Sequence, residues 1–117
     1  MSEHNLQRHV FKWLQLQHPK LYAAAYSVPN GAKRSARLAA YMKAEGMKPG
    51  VPDICIAYPS NGFHGLYIEL KIKKNRPTIN QMEWLERLND NGYLAAWLNN
   101  FEDVVETINK YAWVKND

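Results

Sequence analysis

Cysteine is almost absent from the chain: Cys55 is the only one among 117 residues. A single thiol cannot form an intramolecular disulfide, so no cystine framework holds the fold. Its neighbours Ile54, Ile56 and Ala57 mark it as a small core residue on a strand. The four histidines, His4, His9, His18 and His64, lack any paired spacing that would furnish a zinc site. No apolar run approaches the roughly 18 residues of a membrane span. The opening "MSEHNLQRHV" carries charge and amide groups where a signal peptide has an apolar stretch. A cytoplasmic protein with no membrane partner is therefore expected. Internal repeats, low-complexity tracts and linkers are also missing. At this length there is material for one core and not for two, so residues 1–117 read as a single domain.

Charge of one sign is only modestly in excess. Fifteen Lys and Arg against eleven Asp and Glu leave a net +4, a balance that points to a polyanionic partner without specifying one. The distribution says more. Lys33, Arg34 and Arg37 crowd one short stretch, and Lys71, Lys73, Lys74 and Arg76 crowd another directly after an apolar run. Ordinary solvated surface and contact with a nucleic-acid backbone both fit these clusters. Arg34 and Arg37, three residues apart at a helix start after Asn30, favour phosphate contact.

The periodicities that are present predict an α/β chain of order αβαββαβα. Leu6, Val10, Trp13 and Leu14 line one face of a helix over 3–17, stopped by His18-Pro19. "LYAAAYSV" at 21–28 reads as a strand closed by Pro29-Asn30-Gly31. A helix over 32–45 ends at Gly46. Strands follow at 53–58 and 65–72, then a helix from Thr78 to Asn91-Gly92, a strand at 93–98 and a helix at 101–112. A strand–helix–strand passage over 65–98 implies a parallel crossover in a mixed sheet flanked by helices. Trp84, Trp97, Trp113 and Tyr111 are expected in the core or at an interface between protomers.

The segment "GVPDICIAYPSNGFHGLYIELKIKK" (50–74) combines strand-forming apolar residues with Asp53, Glu69 and Lys71. An antiparallel hairpin turning through "PSNG" centres on Asn61 and sets Asp53 opposite Glu69. Adjacent carboxylates repel unless a cation lies between them. Alternation puts Glu69 and Lys71 on one face of the strand and Ile68, Leu70 and Ile72 on the other. Oxygen ligands of this kind favour Mg²⁺ or Mn²⁺. Such an ion polarises a phosphoryl oxygen and acidifies water, and a lysine beside it neutralises developing charge. These are the parts of a phosphodiesterase. A structural reading stays open, with Asp53 capping the turn after Pro52 and Glu69 pairing with Lys71.

"GVPD" followed fifteen residues later by "ELK" resembles the bipartite motif of the PD-(D/E)XK nuclease superfamily. With "SVPNG" (27–31), "EGMKPGVPDICI" (45–56), "GLYIELK" (65–71) and "INQMEWLERLNDNGY" (79–93), the chain resembles a stand-alone VRR-NUC (virus-type replication-repair nuclease) domain of phage or bacterial type. The resemblance implies a restriction-endonuclease-like core and a Mg²⁺- or Mn²⁺-dependent DNA endonuclease, a homodimer that cuts four-way (Holliday) junctions. It implies Asp53, Glu69 and the Leu70 carbonyl as metal ligands, Lys71 as the catalytic lysine, Gln81 as a supporting residue and Glu3 as a further acid on the metal. Asn30, Lys33, Arg34, Arg37, Lys73 and Lys74 would contact DNA. Glu3 also suits a helix N-terminus, and Thr78-x-x-Gln81 is also a capping box. Two other functions remain: a DNA-binding module without turnover, and a nuclease acting on flaps or single strands.

Overall fold

The computed structural model describes residues 1–29 and 35–113. Five helices and four strands follow one another as α1 (Glu3–Gln17), α2 (Pro19–Ala23), β1 (Ala25–Ser27), α3 (Ala36–Ala44), β2 (Ile54–Ile56), β3 (Leu66–Leu70), α4 (Ile79–Asp90), β4 (Leu94–Leu98) and α5 (Phe101–Ala112). The strands form one mixed sheet of order β1-β2-β3-β4, antiparallel except for the parallel β3–β4 pair. Helix α4 makes the crossover that a parallel pair requires.

One expected element divides in two. The stretch expected as a strand over 21–28 begins as a helical turn, α2, and only Ala25–Ser27 pair with β2. Pro19 at the first helical position and the strong helix propensity of alanine explain the turn. Burial of Leu21 then secures it. Strands β2 and β3 are shorter than expected at both ends and β4 by one residue at its start, and the helix expected over 32–45 is described from Ala36, with Ser35 accepting a hydrogen bond from the Leu38 amide. Gly46, at φ +104°, ends α3 with its amide bonded to the Lys43 carbonyl while the Met47 amide reaches the Met42 carbonyl. That pairing is a Schellman motif.

Alternation along the strands splits the interior into two layers. Ile54, Ile56, Leu66, Ile68 and Leu70 meet Leu6, Val10 and Leu14 of α1 and Val104, Ile108 and Tyr111 of α5 on one face. On the other, Leu85 and Leu88 of α4 pack against Ala95, with Tyr67, Trp84, Tyr93 and Trp97 half-buried around them. Cys55 is buried on β2 and Tyr111 in the core, whereas Trp113 is exposed. No residue of α3 is buried, and Leu38 and Tyr41 lie exposed on it.

The β2–β3 hairpin turns at Asn61 and Gly62, both with positive φ (51° and 83°), and the Ser60 and Phe63 amides donate to each other's carbonyls. Paired positive φ values define a type I′ corner, which asparagine and glycine tolerate best. The corner is fastened to the end of α5: Ser60 Oγ donates to the Tyr111 carbonyl at 2.6 Å and Asn61 Nδ2 to the Lys110 carbonyl at 2.7 Å. In return the Tyr111 hydroxyl donates to the Tyr58 carbonyl. Removing that hydroxyl leaves a part-buried carbonyl without its donor, so Tyr111→Phe is expected to lower the unfolding free energy by about 1–2 kcal/mol. Urea denaturation measures this, and an unchanged midpoint would show that the Tyr111 hydroxyl adds nothing to the fastening made by Ser60 and Asn61.

Candidate active site

The hairpin register aligns Ile54 with Ile68 and Ile56 with Leu66. Continued one step, it brings Asp53 opposite Glu69, as expected from the turn position. Strand β2 begins at Ile54, and Asp53 just before it completes the ladder with its side chain: Oδ2 accepts the Leu70 amide at 2.8 Å. Its backbone carbonyl accepts the Val28 amide, tying the same residue to the β1 side. Asp53 therefore has little freedom to move.

Glu69 faces the α4 layer beside Trp97 of β4. It is 2% exposed and is the one charged residue buried among the described residues. Gln81 Nε2 donates to its Oε2 at 3.4 Å, and Lys71 Nζ lies 3.6 Å from the same oxygen. The other oxygen, Oε1, is buried with no hydrogen-bond partner. Burial, and after it the negative charge of Asp53, push the Glu69 carboxyl up to about 8, against the pull of Lys71. A buried acceptor without a donor is a costly arrangement in a native protein.

Gln81 does two things at once. Its Oε1 accepts the Thr78 amide at 2.8 Å while Thr78 Oγ1 accepts the Gln81 amide at 3.2 Å, a reciprocal capping box. Its NH₂ group is thereby turned toward Glu69. The cap orients the amide instead of competing with the contact.

Glu3 sits in the first turn of α1, where Ser2 Oγ accepts the Asn5 amide. The helix packs its Leu6, Val10 and Leu14 against the sheet, and this docking carries Glu3 to the other two acids. One carboxylate oxygen each from Glu3, Asp53 and Glu69 lie within 4.8 Å of one another. Leu70 buries its side chain in the core, leaving its backbone as what it can offer. Lys73, Lys74 and Arg76 are exposed in the loop that follows, where Lys73 takes a left-handed conformation (φ 54°). Arg37 is exposed on α3, and Asn30, Lys33 and Arg34 lie outside the described residues.

Three carboxylates with one lysine at their edge carry excess negative charge, which a proton or a divalent cation can relieve. The donor set, all oxygen, suits a hard cation such as Mg²⁺ or Mn²⁺. The unpartnered Oε1 of Glu69 is an acceptor free to ligate. The residues present therefore fit a divalent ion.

The sequence model of the VRR-NUC domain matches residues 1–101. The chain belongs to the VRR-NUC family. A solved structure described as a VRR_NUC domain protein superposes with a TM-score of 0.84 at 29% sequence identity, over 96% of this chain and 88% of that one. Among curated proteins no sequence matches. Membership of the VRR-NUC family indicates a nuclease-type domain, and the mixed sheet with flanking helices is the fold shared with that solved structure. No described helix of this VRR-NUC chain is long and apolar enough to cross a membrane. Sequence reasoning missed the unpartnered Glu69 oxygen: its only signal is a glutamate inside an apolar strand, and burial on both sheet faces comes from packing.

Proposed function

We propose that residues 1–117 form one Mg²⁺- or Mn²⁺-dependent endonuclease unit that hydrolyses phosphodiester bonds in branched DNA, acting in the cytoplasm as a homodimer on four-way junctions. The observation that carries this reading is the buried Glu69, which has one oxygen without a partner and one carboxylate oxygen within 4.8 Å of those of Asp53 and Glu3. An apolar layer keeps such a group when a cation compensates it.

Asp53, Glu69 and Glu3, with the Leu70 carbonyl, would hold the ion. When bound, a divalent cation polarises a phosphoryl oxygen and lowers the pKa of water. The protein's own residues supply the rest. The Leu70 amide fixes Asp53, and Gln81 donates to Glu69 Oε2, which restrains the carboxylate and leaves Oε1 without a protein donor. Lys71 Nζ, 12% exposed along its side chain and close to Glu69, orients the attacking water or neutralises the charge that grows on the phosphate. The exposed Arg37, Lys73 and Lys74 offer positive charge to the DNA backbone, and Asn30, Lys33 and Arg34 are proposed from the sequence as further DNA contacts. Symmetric cutting of a junction needs two such sites about a twofold axis, which a homodimer provides.

Labelled four-way junction, flap and single-stranded DNA, each incubated with and without Mg²⁺, test the reading. Paired, metal-dependent nicks in the junction are expected, with slower cutting of the other two. Cutting confined to flap or single strand would move the substrate and remove the need for a dimer. Binding of all three with no cleavage in Mg²⁺ or Mn²⁺ would leave a DNA-binding module.

A further inference from the structure

Gly50 has no room for a side chain. A Cβ built on it would stand 2.7 Å from the Asn80 carbonyl carbon, 2.8 Å from its oxygen and 2.9 Å from its Cβ, and the residue's φ is +87°. These are contacts with the backbone of the first turn of α4, which cannot swing aside as a flexible side chain can. Three residues on from Gly50 is Asp53; one residue on from Asn80 is Gln81. Between Gly50 and Asp53, Pro52 is fully buried and its ring restricts the backbone. The contacts close a circuit: Gly50 on Asn80, Gln81 on Glu69, the Leu70 amide on Asp53, and back through Pro52.

We infer that Gly50 is a positioning residue, whose missing side chain lets the loop bearing Asp53 seat against α4 so that Asp53 and Gln81 both address Glu69. The inference rests on the metal-site reading above. A side chain at position 50 pushes loop and helix apart, and the acids lose their common geometry. Supporting residues of this kind alter metal affinity by about 10- to 100-fold.

Gly50→Ala combines two disturbances, positive φ and steric contact, and the fold contains controls that separate them. Gly62 (φ +83°) and Gly46 (φ +104°) have positive φ too, but a Cβ on either meets nothing within 4 Å. Gly62→Ala and Gly46→Ala are expected to melt somewhat lower than the native protein yet to bind Mn²⁺ as tightly by calorimetry. Gly50→Ala is expected to bind Mn²⁺ at least about tenfold more weakly, and to lose kcat on DNA with KM little changed. Excess Mn²⁺ should recover part of that kcat. Native-like Mn²⁺ affinity in Gly50→Ala would overturn the inference and leave Gly50 a turn residue.

If Gly50→Ala does not fold, hydrogen exchange of the native protein decides. Saturating Mn²⁺ should slow exchange at the 50–53 and 80–82 amides together, and protection of the first segment alone would overturn the coupling. Failure of the native protein to bind Mn²⁺ would overturn the metal reading and this inference with it. Mn²⁺ binding without DNA cleavage would sink the nuclease reading and still leave the Gly50 comparison decisive.

Discussion

Glu69→Gln is expected to melt higher than the native protein in metal-free buffer at pH 8. The substitution keeps the shape of the side chain and removes a charge that has one oxygen unpartnered and two acids nearby. The folded carboxyl is raised from 4.5 to about 8 by burial and Asp53, while in the unfolded chain it ionises near its ordinary value. Between those values the folded state holds a proton that the unfolded state has released. Stability attributable to this group is therefore intact below about pH 4.5, falls as pH rises, and is lost above about pH 8. The shift sets a ceiling of roughly 5 kcal/mol, and relaxation of the site leaves about 1–3 kcal/mol as the expected gain. Thermal melts of both proteins from pH 4.5 to 8.5 should coincide at the acid end and diverge toward the alkaline end. Mn²⁺ should then raise the native melt and leave Glu69→Gln nearly unchanged, because only the native site gains binding energy on folding. A Glu69→Gln protein less stable than the native at pH 8 would make Glu69 a structural anchor.

Lys71→Ala is expected to reduce single-turnover DNA cleavage by about 10²–10³-fold, the usual effect of removing one preorganised donor aimed at developing charge. DNA affinity should change little, since the exposed Lys73, Lys74 and Arg76 remain. Such a split, a fall in rate at unchanged binding, marks an interaction made in the transition state. Lys71 also lies 3.6 Å from Glu69, so a purely electrostatic partner role must be distinguished. If the lysine only balances Glu69, raising the Mn²⁺ concentration should restore the rate in Lys71→Ala. A deficit persisting at saturating Mn²⁺ supports direct action on the phosphate or the water.

Glu3 shows how a first-turn acid can be ambiguous in sequence. It suits the N-terminus of α1 by its charge, and it also precedes Leu6 and Val10 on the inward stripe. Only the docking of α1 on the sheet brings its carboxylate within 4.8 Å of Asp53 and Glu69. Gln81 resolves differently: the capping box and the contact with Glu69 coexist because an amide has an acceptor for one and donors for the other. In "LYAAAYSV" the alternation of small residues does not separate a helical turn from a strand, since alanine has no face to declare. The partner of each backbone amide decided it.

Local rules suffice for α1, α4 and α5, whose apolar spacing and caps agree, and for the place of the β2–β3 turn at Asn61-Gly62, but the strand register stands one residue off the Ser60–Phe63 pair that closes this corner. The sequence by itself brought Asp53 and Glu69 to neighbouring places on paired strands, and the residue-by-residue register was decided by the folded sheet. The sequence also carried the family resemblance, in motifs that span most of the chain. Tertiary structure alone decided that Glu69 is buried, that one of its oxygens has no partner, that α1 delivers Glu3 to it and that α4 delivers Gln81. The reason is physical: strand alternation and turn geometry act over a few residues, whereas burial and desolvation depend on which helices cover the sheet. The strength of the electrostatics at this site is a property of that covering.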